Sequence, residues 1–234
     1  MNIRPLLAGF VVAMAAGCSS PDHTASIPLP HPAPSTAKGG ADQQVAQAAI
    51  LNQQDVGPDY QATPFTPDTQ DSAYDAALNA CLGRPPVATR ETARAFSPTF
   101  TKDSDMIIGS IAFVDSNETA QADITALRDT PRTLPCIHDS LTAQLSRSGS
   151  SAQVEVSPIS PPPGGSDVDA AAYRLRILAE ASDPRTLYVI DMASALKGRA
   201  EISVSFRYAS NLAPADIEDR AVRAMLDRLP AGAR

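Results

Sequence analysis

The stretch AAYRLRILAEASDPRTLYVIDMASALKGRAEISVSFR, residues 171–207, decides the fold class, because its apolar residues recur at every second position. Tyr173, Leu175 and Ile177 project to one side of an extended chain while Arg174 and Arg176 project to the other. Ile202, Val204 and Phe206 alternate in the same way with Glu201, Ser203, Ser205 and Arg207. SDPR (182–185) and ALKGR (195–199) interrupt the pattern with turn residues. VEVSPIS (154–160) adds a strand upstream, connected by PPPGGSDVD (161–169). These four segments predict an antiparallel meander with one apolar and one polar face.

Upstream the period lengthens to three and four. Asp42 to Gln54 and Asp71 to Leu82 read as helices, the second with Tyr74, Leu78 and Cys81 on one stripe. DMIIGSIAFVD (105–115) is apolar at nearly every position, as a central strand covered on both faces would be. Ser116 or Asn117 then caps a helix carrying Ala120, Ile124 and Leu127. Another helix follows Pro135, with Ile137, Leu141 and Leu145 in line, and a last one follows Pro214, with acids near its positive end. The fold class expected is α+β: an antiparallel sheet, made of the C-terminal four-strand meander plus a central strand, packed with helices and closed by one disulfide. Residues 41–230 hold no internal linker and are expected to form a single domain.

What precedes that domain concerns location. PLLAGFVVAMAAGC (5–18) follows Arg4 and resembles the bacterial lipobox, in which a peptidase cuts before the cysteine and the sulfur receives a diacylglyceryl group. Twelve apolar residues fall short of the roughly 20 that span a bilayer. Residues 1–17 are therefore expected to be a lipoprotein signal peptide, Cys18 the lipidation site, and 18–40 a Pro/Ser/Thr-rich tether. Acyl chains on Cys18 would hold the chain at the cell membrane on its extracytoplasmic face, each buried CH₂ contributing about 0.8 kcal/mol.

With Cys18 so used, Cys81 and Cys136 remain as an even pair in a compartment where disulfides persist. One bridge is the expectation; a zinc site or a catalytic thiol are the alternatives, and both want histidines that the domain lacks apart from His138.

Charge and motifs exclude several classes of function. Without residues 1–17, which hold one Arg and no acid, 18 basic side chains face 26 acidic ones, a net charge of about −8, and no basic cluster occurs. Nucleic acid is thereby excluded as a partner. There is no GxSxG, GxGxxG or GxxxxGK[ST], so no catalytic residue, cofactor or metal ligand is assigned. Arg174, Arg176 and Arg207 on the polar side of the meander are the candidate binding face, since a guanidinium offers forked donors to carboxylates or phosphates. The competing reading pairs them across strands with Glu155 or Glu201.

Beyond the lipobox, the segments AILNQQDVGPDYQATPF (49–65), ACLGRP (80–85), LPCIHDSL (134–141), AYRLRI (172–177), LYVIDM (187–192) and LKGRAEISVSF (196–206) carry a wider likeness. In this order they resemble secreted lipoproteins of mycobacteria and related actinobacteria, similar to the PknH extracellular sensor-domain family. The PsbP-like lipoprotein sandwich is the second resemblance. The first implies a disulfide-stabilised antiparallel sheet packed with helices and a cleft for an unidentified ligand. It implies a non-catalytic, sensor-like envelope lipoprotein that binds a small molecule, a glycan or an envelope protein. The alternatives are an envelope hydrolase with an unrecognised site, or a structural or assembly lipoprotein. A pocket with converging polar groups of perturbed pKa would favour the enzyme; an open polar groove would favour binding.

Overall fold

The structure, a computed structural model, describes residues 37–65, 69–147, 151–161, 168–180, 183–208 and 215–231. The signal segment, Cys18, most of the tether and most of the 161–169 connection lie outside them. The elements run α1 (Ala37–Ala49), α2 (Gln53–Val56), β1 (Gln61–Thr63), α3 (Thr69–Leu82), α4 (Val87–Arg90), β2 (Glu91–Phe96), β3 (Thr99–Lys102) and β4 (Asp105–Val114). There follow α5 (Asn117–Arg128), α6 (Thr130–Arg147), β5 (Gln153–Pro158), β6 (Asp169–Glu180), β7 (Asp183–Lys197), β8 (Ala200–Tyr208) and α7 (Ala215–Arg228).

The strands form one antiparallel sheet in the order β1-β3-β4-β8-β7-β6-β5, and β2 pairs with the same edge of β4 that β3 occupies further along. The meander is β5 to β8 as the alternation predicts, and β4 is the inner strand that joins it to the N-terminal strands. β2 and β3 have no counterpart in the sequence reading. They are one edge interrupted at Ser97-Pro98, where the Ser97 hydroxyl accepts from the Gly109 N–H (2.9 Å) and the Ser97 N–H returns a bond to the Gly109 carbonyl (2.8 Å). Pro98 has no N–H to continue the ladder, so the edge breaks there.

Two helix boundaries differ from expectation and a third, left between two caps, is resolved, each for a local reason. The first helix spans Ala37–Ala49 and not Asp42 to Gln54, because Asn52 caps a new short helix: its side chain accepts from the Gln54 N–H while Asp55 accepts from the Asn52 N–H. The helix expected after Pro135 begins at Thr130, since the Arg132 and Thr133 N–H groups both reach back to the Asp129 carbonyl and close a turn upstream of the proline. At α5 the choice of cap falls on Ser116, which accepts from the Thr119 N–H at 3.1 Å.

Apolar layers cover both sides of the sheet. On one, α1, α2 and α7 pack over Ile107, Ile111, Phe113, Ile202, Val204 and Phe206. On the other, α3, α5 and α6 enclose Tyr173, Leu175, Ile177, Ile190 and Val154. Helix α6 lies on β5 and α5 on β6 and β7, while α3 rests on α6. A Cys81–Cys136 disulfide ties α3 to α6 with Cα atoms 5.6 Å apart. The meander has no single polar face, contrary to the alternation reading: Arg174 and Arg176 share the side of Phe206 and α7, whereas Glu201, Ser203, Ser205 and Arg207 share the side of Leu175, Ile190 and helices α3, α5 and α6.

Candidate functional site

Because α3 stands on α6, the sheet beneath it is left uncovered at β4, β8 and the adjoining part of β7. The result is a cleft of about 240 Å³ between α3, α5 and the sheet. Register fixes its floor. Ser110, Ser203 and Ser194 sit side by side across β4, β8 and β7, and Ser205 lies two residues along β8, between Ile108 and Met192. Two residues the other way, Glu201 lies between Ala112 and Leu196. Among the described residues none of the four serine hydroxyls has a hydrogen-bond partner, and neither do the Asp75 carboxyl and Asn79 amide, which line the cleft from α3.

Four charged side chains close one end. A Gly-Arg-Pro-Pro turn supplies Arg84, and α4 supplies Arg90. Helix α3 stops there because Gly83 adopts φ +71°, with its N–H on the Ala80 carbonyl and the Arg84 N–H on the Asn79 carbonyl. A Cβ at Gly83 would also meet the Arg132 guanidinium at 2.8 Å. Arg84 Nε donates to Asp123 Oδ1 at 2.8 Å, Arg90 Nη1 donates to Asp123 Oδ2, and both arginines lie 3.3 Å from Glu201 Oε2. Burial alone would raise the Asp123 pKa, but hydrogen bonds from Arg84 and Glu201 with the two cationic charges hold it below the usual range. Glu201 goes the other way, pushed up to about 7 by burial and by its hydrogen bond with Asp123, against the pull of Arg84. Burial likewise raises Asp75, with Arg94 opposing.

The rim is apolar and aromatic. Phe96 is 36% exposed, with Phe65 tilted against it at 5.2 Å and the Arg94 guanidinium 5.6 Å from its ring centre. Arg94 is in turn paired with Glu91.

The three arginines read as one face are separated by the register. Arg174 lies opposite Asp191, and Arg207 opposite Ile190, so the pleat sends Arg207 to the opposite side of the sheet from Arg174 and Arg176. Arg174 makes a forked pair with Asp191 (2.7 and 2.6 Å), next to Glu218 of α7. Arg176 pairs with Glu155 at 2.7 Å on the exposed strand surface. Arg207 lies over the Tyr188 ring at 5.1 Å, and its buried Nε has no hydrogen-bond partner. Glu201, the other expected cross-strand partner, is held by Arg84 and Arg90 instead.

Sequence reading puts Ser110, Ser194, Ser203, Ser205 and Glu201 on strands and Asp75 and Asp123 on helices, but it gives no site role to any of them or to Arg84 and Arg90. Arg84 and Glu201 are 117 residues apart, and no local pattern signals that they meet. Among the described residues, no group of His, Cys, Asp and Glu could hold a metal ion, and no helix is long and apolar enough to cross a membrane.

No protein-family model matches the chain, and no curated protein matches it. Among solved structures it is similar to the extracellular domain of PknH from Mycobacterium tuberculosis, at 10% sequence identity and a TM-score of 0.45, over 80% of this chain and 95% of that one. At that identity and superposition, nothing about the function of that protein carries over to this chain.

Proposed function

We propose that the chain is a lipid-anchored, extracytoplasmic binding protein: residues 1–17 a signal peptide, Cys18 the lipid carrier, 18–40 the tether, and 41–230 a domain that captures a small ligand without transforming it. The observation that carries this reading is the floor of the cleft, where four serine hydroxyls have no partner among the described residues. Ser203 is exposed and Ser110, Ser194 and Ser205 are half-buried, so their hydroxyls face the open cleft and can hydrogen-bond what fills it. The volume, about 240 Å³, lies just under the range of about 300–1,000 Å³ usual for small-molecule sites.

A second reading, an envelope hydrolase, is favoured by one observation, the Glu201 carboxyl with its pKa near 7 inside the cleft. Against it, Glu201 and Asp123 are engaged by Arg84 and Arg90, and among the described residues no histidine lines the cleft to activate a serine.

Protein isolated from cell envelopes under native conditions and examined by mass spectrometry should carry a small molecule that Ser203→Phe, which fills the floor, removes. Recovery of the same molecule with the variant overturns the cleft as the site. In the same preparation Cys18→Ser should leave the protein without lipid and either uncleaved or released to the aqueous phase; a variant that partitions with the parent and carries the same mass overturns the anchor.

A further inference from the structure

We infer that the cleft is built for an uncharged, polyhydroxylated ligand, a neutral sugar, with the serine row hydrogen-bonding its hydroxyls and the Phe65–Phe96 rim covering an apolar ring face. This inference rests on the cleft being the binding site and deepens that reading by naming the ligand class.

The argument begins with the groups left without partners. A serine hydroxyl donates one hydrogen bond and accepts two, and an asparagine amide likewise offers both roles. Among the described residues the side chains of Ser110, Ser194, Ser203, Ser205 and Asn79 have no hydrogen-bond partner. A ligand that matches them must also donate and accept at several points, which hydroxyl groups do. An acyl chain offers neither role and would strand the hydroxyls, at about 1–3 kcal/mol for each one buried without a partner. A carboxylate only accepts and a phosphate chiefly accepts, and among the described residues the guanidinium groups that line the cleft are already taken by carboxylates. Arg84 and Arg90 are already engaged by Asp123 and Glu201, and Arg94 by Glu91.

Spacing agrees with this reading. Neighbouring strands lie about 4.8 Å apart, so Ser110, Ser203 and Ser194 set hydroxyls at that interval across three strands while Ser205 offsets a fourth along β8. Several hydroxyls spread in two directions suit a ring substituted at several carbons better than a single polar head. At the mouth, Phe96 is the large apolar side chain most exposed among the described residues, with Phe65 against it. An aromatic pair beside a hydroxyl floor offers one surface for C–H groups and another for O–H groups.

The test uses the full chain carrying Cys18→Ser, so that no acyl chain competes, and titration calorimetry with three probe classes. These are the methyl glycosides of glucose, galactose, mannose and arabinose; sodium laurate; and inorganic phosphate. At least one glycoside should bind, and Ser203→Val with Ser205→Val should weaken it by about tenfold or more, as expected for two lost hydrogen bonds. Valine suits a strand, so this variant should melt with the parent; if it does not, Ser194→Ala serves in its place. Ser157→Val, an exposed position on β5, should leave binding unchanged. Laurate or phosphate binding that responds to the Ser203/Ser205 change, with no glycoside bound, overturns the ligand class and leaves the cleft as a site. Binding of no probe overturns the inference, and persistence of the isolated ligand in Ser203→Phe separately overturns the cleft.

Discussion

Replacing Asp123 by Asn should be the most damaging single polar change in the domain. Asp123 is 3% exposed, and each of its oxygens receives a guanidinium N–H, from Arg84 and from Arg90. The amide keeps the shape and loses the charge, leaving two buried cations to share Glu201. Breaking a buried ion pair by removing one partner typically costs about 3–5 kcal/mol. Part of that is recovered here. Once relieved of Asp123, Glu201 ionises more readily and substitutes as counter-ion, so the lower end of the range applies near neutral pH. A loss of about 3 kcal/mol in a domain of this size lowers the melting temperature by about 6–12 °C. Burial still raises the Glu201 pKa in the variant, so a larger share of the substitute is protonated at pH 5.5 than at pH 8 and the loss should be larger there. Thermal and urea melts followed by circular dichroism at pH 5.5 and 8 measure both effects. The apolar set Arg84→Met, Arg90→Met, Asp123→Leu and Glu201→Leu should cost less than Asp123→Asn alone, because it strands no charge. A melting temperature for Asp123→Asn within 2 °C of the parent at about pH 7, or an apolar set that is the worse of the two, would refute the reasoning.

Three further outcomes follow from other parts of the fold. Cys81→Ala with Cys136→Ala opens a loop of 55 residues and should cost about 4 kcal/mol on the chain-entropy model; a melting temperature unchanged by reductant in the parent would contradict it. Glu218 has its pKa raised to about 8 by burial and by its hydrogen bond with Asp191, with Arg174 opposing and Asp219 and Tyr208 nearby. A carboxyl raised in the folded state contributes fully below its unfolded pKa and loses that contribution as pH rises through about 8. Stability should therefore fall from pH 4.5 to 8.5, and Glu218→Gln should flatten the fall; equal slopes in the two proteins would exclude Glu218 as its source. Arg207 is a largely buried guanidinium without an ion pair among the described residues, its pKa lowered by burial. Arg207→Met, which keeps the packing of the stem over Tyr188 and removes the charge, should leave the melting temperature unchanged or raise it, and a clear drop would mean the charge is compensated in the native state.

How far the chain could be read depended on the range of the interaction involved. Alternation in 171–207 and the apolar run 105–115 specify strands through contacts of each residue with its immediate surroundings, and β6, β7, β8 and β4 appear where those patterns put them. The Cys81–Cys136 pair was likewise accessible from residue parity and helix stripes. Even β2 and β3 carried little signal, since half of ETARAF is polar and the Ser97-Pro98 break hides a continuous edge.

The placement of the candidate site is another matter. Alternation assigns Glu201, Ser203, Ser205 and Arg207 to one side of a strand, but it says nothing of which side of the neighbouring strand shares that face. Register supplies this, and it moves Arg207 away from Arg174 and Arg176. Alternation also cannot tell a solvated polar face from one roofed by helices. That is settled by α3 resting on α6, which opens a gap over β4 and β8 and lets Arg84, Arg90 and Asp123 reach Glu201. Local periodicity reports which residues avoid water along a segment, so the sequence alone determined the α+β class and the meander. Only tertiary packing determined that serines from three strands and charges from a turn, two helices and a strand line one cleft, because their meeting depends on distances between elements that no single segment encodes.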